Sequence, residues 1–503
     1  MLRDYDRIQK EIALTGFFSE YLPPCFYVDR KVLNYPPPQD CDAIPPYGFS
    51  MSRFNGNDAR RTIFIPEIGS YIATYQYMKE NRIIPELIEF IESQHHSFSP
   101  ILGEEDSIMR HEQSYEPSGL DAFELSAKYI ENVGKKIILA AGSKKILKLD
   151  ISNCFLSFYV HMIPSIVLGL NGAQEEYEKS QRGESCSTLY NKYAKLDEVV
   201  RRQNLKRTNG LLPGILTSRI IAEALLTRID IELEEAGFKF VRYVDDYEVF
   251  LFDDDEKGKI SKFSRILKKF GFSLNDEKTE VVDFPYYVVQ NFNKILQGKL
   301  NVSINTSDII EIFNIFLDME KNGTKGAVRF LIKILLEKSN SIEILNKDLY
   351  KAYLLSVMVN NERSLTKVSS IFINNKDKLI LSPNEVINII ALLNKHLTFD
   401  HDLEVIWLIF LLVQTGNLEA GSQLIEDIIR TQNELAHLIL LHNALLNENQ
   451  IETIKGKSCS WILLYELFSR NLLNEEEFIN RLNIQKNMSM YDKFKDKQIH
   501  FIQ

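Results

Sequence analysis

Near residue 300 the spacing of the apolar residues changes, and that change constrains the fold more than any other feature of the chain. Beyond it, "DIIEIFNIFLDMEKN", "AVRFLIKILLEKSN", "EVINIIALLNKH", "EVIWLIFLLVQTGN", "QLIEDIIRTQNELAHLILLHNALLNEN" and "WILLYELFSRNLLNEEEF" all carry apolar residues at helical spacing, separated by Asn, Gly or Ser. Strand signals nearly vanish there. The pattern predicts an all-α part, either stacked helix pairs in the manner of a degenerate solenoid or an irregular bundle. From about residue 60 to 300 the chain instead mixes helical periods with short β-rich runs. "KKILKLD" reads as a strand ending near Asp150, and "TSRIIAEALLTRIDIELEEAGF" as an amphipathic helix closed by Gly237, followed at once by a strand pair around Asp245. Seven of the fifteen prolines fall between Pro23 and Pro46. Proline fixes φ and removes a backbone donor, so this stretch is expected as an extended arm laid over the fold. The expected division is a proline-rich arm at 1–50, a mixed α+β part at 51–300 and a helical part at 301–503.

Bulk properties narrow the function classes. A chain of 503 residues with 45% apolar composition buries sizeable cores and suggests two or three domains. Five cysteines show neither C-x-x-C spacing nor the density of a disulfide scaffold, which argues against zinc and against secretion. "MLRDYDRIQKEIALTGFF" lacks a signal-peptide core, and no long uncharged apolar stretch follows, so a soluble cytoplasmic protein with no membrane contact is expected. The formal net charge of −10 excludes a general nucleic-acid coat built on phosphate neutralisation. Two basic stretches, Lys135 to Lys148 and Lys192 to Arg207, are either local nucleic-acid contacts or solvated helix faces.

The run "FVRYVDDYEVF" sets Asp245 and Asp246 side by side among aromatic and β-branched residues. Two-residue hairpin loops favour Asn-Gly or Asp-Gly because both positions need positive φ, and Asp-Asp meets that preference poorly. The other possibility is a metal site, which needs carboxylates from more than one element to hold divalent ions for phosphoryl transfer. Asp150, at the end of its strand, is the candidate partner. The acidic "FDDDEKGK" lacks EF-hand ligand spacing and reads as a solvated turn. In "HLILLH", His437 and His442 are five apart, off a single helical face, and suggest no metal.

"YVDD" (Tyr243 to Asp246) resembles the Y-x-D-D signature of reverse transcriptases. "LDISNCF" (Leu149 to Phe155) resembles the palm motif with the first aspartate, "LLPGILTS" (Leu211 to Ser218) the glycine-containing motif that follows, and "GFSLNDEKTEV" (Gly271 to Val281) the later lysine-bearing motif. Two departures point to a smaller group. Pro213 stands where the glutamine of Leu-Pro-Gln-Gly is usual, and Arg219 where a proline usually follows Ser218. With "TSRIIAEALL" and the long helical C-terminal part, the chain most resembles the prokaryotic abortive-infection reverse transcriptases, including the type that prophages carry to exclude other phages.

The resemblance implies right-hand polymerase fingers and palm over 51–300, in a bacterial cytoplasmic enzyme. Asp150 and Asp245 would bind two Mg²⁺ ions, with Mn²⁺ as a substitute; the carbonyl of Ile151 would complete the coordination and Asp246 would support it. Phe155 matches the gate that excludes a 2′-hydroxyl. Gly214 and Ser218 fall at the nucleotide, Lys278 at the departing pyrophosphate, and Arg60 or Arg61 at the triphosphate. The group also implies synthesis of single-stranded DNA from deoxynucleoside triphosphates without a template, primed by and attached to a protein side chain, in homo-oligomers joined through the helical part. Tyr35 and Tyr47, beside the proline clusters, are the candidate primers. The alternatives are a templated, retron-like enzyme working with an RNA partner, and a non-catalytic scaffold with a degenerate palm.

Overall fold

Four antiparallel strands form the sheet on which the fold turns, in the order β4-β5-β3-β6: β3 is Lys145–Asp150, β4 Phe240–Tyr243, β5 Asp246–Leu251 and β6 Glu280–Asp283. They are seen in a computed structural model that describes residues 3–52, 60–109, 122–287, 292–296, 298–300 and 302–503. The register opposes Leu147 to Val249, Leu149 to Tyr247 and Asp150 to Asp246. Because side chains alternate across a strand, Leu147, Leu149, Tyr247, Val249 and Leu251 enter one core while Lys148, Asp150, Asp246 and Glu248 share the other face. The expected strand, helix and hairpin order of this part is present, with the helix at Leu216–Glu235 and Gly237 at φ +83 just beyond it.

Helix Leu216–Glu235 lies under the sheet and packs against helices Ile83–Glu92, Ile163–Gln181 and Glu256–Lys269. Fifteen of its twenty residues are buried, so it is a core element buried on most sides rather than the amphipathic helix its sequence suggested.

A second two-stranded sheet pairs β1 (Tyr47–Ser52) with β2 (Arg60–Ile65), Tyr47 opposite Ile65 and Ser52 opposite Arg60. This hairpin shares its core with the C-terminal helices: Phe49, Ile63 and Ile65 belong to one apolar cluster with Ile406, Leu463 and Trp461. Residues of the arm, Phe17, Phe18, Phe26 and Ile44 among them, lie in the same cluster. The arm is thus a packed layer; a regular helix, Tyr5–Thr15, precedes the proline-rich stretch, which itself carries the short 3₁₀ helix Arg30–Asn34.

The C-terminal part is helical from Thr306 to Asp496, apart from one short parallel pair, β7 (Ser303–Ile304) and β8 (Glu343–Ile344), that an all-α expectation did not include. The Asn and Ser separators are helix N-caps. Asn305, Ser382, Asn447 and Asn474 each close a capping box with the acidic or amide residue three positions on. Helices Asp402–Gln414, Glu434–His442 and Trp461–Ser469 are apolar on nearly every side and stack in succession as the buried spine.

Polar bonds stitch the hairpin to this spine. The Ser50 amide donates to Asp402 Oδ2 at 2.8 Å, the Glu434 amide to the Tyr47 hydroxyl at 3.0 Å, and Trp461 Nε1 to the Ile65 carbonyl at 3.4 Å. Glu67, fully buried, accepts from the Gly69 and Ser70 amides and from the Tyr491 hydroxyl at 2.6 Å.

Candidate active site

The hairpin loop between β4 and β5 consists of Val244 and Asp245 alone, since Tyr243 opposes Asp246. Val244 has φ +55, a conformation that a β-branched side chain rarely takes. What holds it is Arg242, whose side chain is completely buried. Its Nη1 donates to the Val244 carbonyl at 2.9 Å and to Glu223 Oε2 at 3.0 Å, its Nη2 to Glu223 Oε1 at 2.9 Å and Asp230 Oδ2 at 2.7 Å, and its Nε to Asp230. The Tyr247 hydroxyl adds a bond to Asp230 at 3.1 Å. Burial alone would lower the guanidinium pKa, but Asp230 and Glu223 outweigh it and keep the charge in place. Sequence reasoning missed this brace. Its signal was two acids seven residues apart on a helix, one face of which must meet the strand bearing an arginine.

The two-residue loop turns Asp245 towards the end of β3. The Ile151 amide donates to the Asp245 carbonyl at 3.2 Å, and the Asn275 amide to the Asp150 carbonyl at 2.8 Å, so three segments meet at one point. One carboxylate oxygen from each of Asp150, Asp245 and Asp246 lies within 4.8 Å of the others. Lys278 Nζ donates to Asp150 Oδ1 at 2.6 Å and Asn275 Nδ2 to Asp150 Oδ2 at 3.1 Å. Burial, then the Asp150 charge, pushes the Asp245 carboxyl above its ordinary range, while Arg61 and Lys278 pull the other way. Asp246 is raised as well, by desolvation and then by Asp245 and Asp150. Three crowded, partly desolvated carboxylates repel one another unless a cation joins them. An all-oxygen set of this kind suits a hard divalent ion such as Mg²⁺ or Mn²⁺.

The other candidates divide. Phe155 is half-buried on the short helix Cys154–Ser157, and its carbonyl accepts from the Leu211 amide at 2.8 Å, which ties it to the glycine-containing loop. In that loop Gly214 has φ +107, and a Cβ there would lie 2.4 Å from Ile63 Cγ2. The Phe64 amide donates to the Pro213 carbonyl at 3.0 Å. The loop therefore docks against β2, the strand that carries the arginines. Ser218, by contrast, is buried within its helix.

Arg60 and Arg61 point opposite ways, as neighbours on a strand must. The Arg61 charge acts on Asp245, whereas Arg60 is spent on Glu404, Glu362 and Ser50 of the hairpin–helix junction. Tyr47 has its hydroxyl against the Glu434 amide, and burial pushes its pKa far up, which makes it a poor nucleophile in this conformation. Tyr35 is half-buried against the same core. Ile151 follows Asp150 directly, and only its amide contact to Asp245 bears on coordination.

Both basic stretches are largely neutralised internally. Lys136 pairs with Glu248, Lys144 with Asp254, Lys192 with Glu86 and Arg201 with Asp197. That favours the solvated-face reading over a nucleic-acid track. In "FDDDEKGK", Asp255 is the N-cap of helix Glu256–Lys269. His437 Nε2 donates to the Ile428 carbonyl at 3.1 Å, and Arg470 Nη2 donates to His442 Nδ1 at 3.2 Å. No helix among the described residues is long and apolar enough to cross a membrane.

No protein-family model matches the chain, and no curated protein matches it. Among solved structures it is similar to telomerase from Candida albicans in complex with the TWJ fragment of telomeric RNA, at 12% identity and a TM-score of 0.30, over 83% of this chain and 66% of that one. Telomerase from Candida tropicalis is similar in its apo form, at 12% identity and a TM-score of 0.32 over 74% of this chain and 70% of that one. The form with the TWJ fragment gives 12%, 0.31, 74% and 65%. The chain thus spans about two thirds of those telomerase chains. So remote a likeness assigns it neither a substrate nor an activity.

Proposed function

We propose that this chain is a Mg²⁺-dependent nucleotidyltransferase of the reverse-transcriptase type that polymerises deoxynucleotides, and that it works without a template, from a hydroxyl of its own chain, in abortive anti-phage defence. The observation that carries the polymerase reading is the convergence of Asp150, Asp245 and Asp246 within 4.8 Å beside Lys278. The four sequence motifs in order, and their resemblance to the abortive-infection group, support the finer reading.

Asp150, Asp245 and Asp246 would hold the divalent cation, which when bound acidifies the attacking hydroxyl and offsets charge on the leaving pyrophosphate. The chain's own groups do the rest. Asp150 is fixed by Lys278 and Asn275, and Asp245 by the Arg242-braced loop, so the acceptor oxygens need no rearrangement. Lys278, half-exposed, neutralises the departing pyrophosphate, and Arg61 the incoming triphosphate. Phe155 stands at the ribose 2′ position. A hydroxyl supplied in cis replaces a bound primer through proximity. Tyr35 takes that role ahead of Tyr47, whose hydroxyl is covered by the spine. A net negative chain with its basic stretches paired offers little surface to a duplex, which favours untemplated over templated synthesis.

The test is incubation of the purified full-length protein with deoxynucleoside triphosphates and Mg²⁺, without nucleic acid. DNA that migrates with protein until protease is added is the expected product. Extension that requires an RNA template and primer would establish the templated alternative instead. Absence of synthesis under both conditions would leave a scaffold. Light scattering of the same preparation checks the homo-oligomer.

A further inference from the structure

A second cluster of metal-ligating side chains lies at the hairpin–helix junction, formed by Glu362, His396 and His401. His396 sits in the last turn of helix Pro383–Thr398 and is 1% exposed. The helix ends in a turn with Asp400 at φ +51, and the His401 amide reaches back to the His396 carbonyl at 3.0 Å. This left-handed closure folds the chain over its own helix end. It brings the two imidazoles together, Nδ1 to Nδ1, at 2.9 Å. Glu362, in the first turn of helix Glu362–Asn374, has Oε1 3.9 Å from His401 Nδ1.

We propose that Glu362, His396 and His401 bind a divalent transition-metal ion of the zinc class, which ties three helices together where they support the β1–β2 hairpin. Zinc–nitrogen bonds run at about 2.0–2.1 Å, so two imidazole donors in a tetrahedral site stand about 3.3 Å apart, and the pair at 2.9 Å needs to part by only about 0.4 Å to admit the ion. Each of the three donors comes from a different helix or its cap, as a structural cross-link requires. Arg60 Nη1 lies 4.0 Å from Glu362 Oε2, the oxygen turned away from the imidazoles, and orients that carboxylate from outside. Glu404 takes up the Arg60 charge, so the guanidinium does not oppose a cation outright.

Imidazoles select zinc-like ions over Mg²⁺, whereas the aspartate cluster is all oxygen, so the two sites differ in chemistry. The hairpin is coupled directly to the cluster: the Ser50 hydroxyl donates to the Asp400 carbonyl at 2.9 Å, and the Asp402 amide to that hydroxyl at 3.1 Å. The ion would therefore fix the hairpin whose second strand presents Arg61.

The test uses the full-length protein, stripped with a chelator, reloaded with Zn²⁺ in a large excess of Mg²⁺ and passed over a sizing column. One zinc ion retained per chain is expected, with an X-ray absorption spectrum showing two imidazole ligands. Asp245→Asn should retain it, and His401→Ala and His396→Ala should lose it, with binding weakened at least about tenfold. Because His396 is buried and its variant can misfold, the wild-type spectrum and the less buried His401 decide. A wild type that retains no zinc, a spectrum without imidazole scattering, or His401→Ala that folds and keeps its zinc would each overturn the proposal. In those cases the pair is a hydrogen bond between the two rings.

Discussion

Asp245 is stabilised in its protonated form by the fold and needed in its ionised form by the proposed chemistry. Its raised pKa has a definite sign. A carboxyl whose folded pKa lies above its ordinary 3.8 costs nothing in acid, and destabilises the fold increasingly as pH rises through the interval up to the folded value. Asp245→Asn should therefore raise the melting temperature of the metal-free protein at pH 8 by about one to a few degrees, and the gain should vanish in acid. The same variant should lower synthesis at least about a hundredfold, and Mg²⁺ should stabilise it less than the wild type. Thermal melts at several pH values, with and without Mg²⁺, read all three. Phe155→Ala should increase incorporation of ribonucleotides relative to deoxynucleotides, read by gel analysis of alkali-sensitive product. At Arg242 the forecast is structural. Arg242→Met leaves Glu223 and Asp230 buried without their cation and should cost about 3–5 kcal/mol in urea denaturation, much of it recovered by adding Glu223→Gln and Asp230→Asn. The aspartates were legible in the sequence because strand alternation is local. Arg242 was not, because its partners lie 12 and 19 residues away on another element. Arg60 and Arg61 were inseparable for the opposite reason: they are identical neighbours, and only the facing helices distinguish them.

The loop from Leu211 to Ile215 is where the mixed part touches the hairpin, and its Gly214 is required twice, by φ +107 and by the Ile63 methyl a Cβ would strike. Gly214→Ala should destabilise by about 1–3 kcal/mol. By displacing β2 it should also raise the KM for nucleotide more than it lowers kcat, which steady-state kinetics at several Mg²⁺ concentrations would separate from simple unfolding. Helix Leu216–Glu235 was readable to within a residue or two, because its capping Gly237 is a local signal. Its burial was not, since its sequence carries charges, Arg219, Glu223 and Asp230, that are buried only because each finds partners elsewhere in the chain. Five-residue spacing told nothing by itself. In "HLILLH" it runs within one helix and its histidines part, whereas in "HLTFDH" a left-handed turn intervenes and brings them together.

On the scale of the whole molecule, the apolar cores do not follow the divisions at residues 50 and 300. The arm and the hairpin share one core with the helices, and the sheet keeps another with helix Leu216–Glu235. A fragment ending at residue 300 should accordingly expose Phe17, Phe49 and Ile65 and aggregate or bind a hydrophobic dye, while the full chain should do neither before it melts. The change of period near residue 300 was visible in the sequence because helices announce themselves locally. The sharing of cores was invisible because it depends on pairings such as Ser50 with Asp402, separated by 352 residues. That separation also sets a clock. At ribosomal rates of about 5–20 residues per second, the hairpin bearing Arg61 waits on the order of 20 to 70 s for its anchor to be made. A nascent chain that has finished its aspartate cluster still lacks a seated Arg61, so under the proposed function competence for synthesis is deferred until the spine helices have left the exit tunnel.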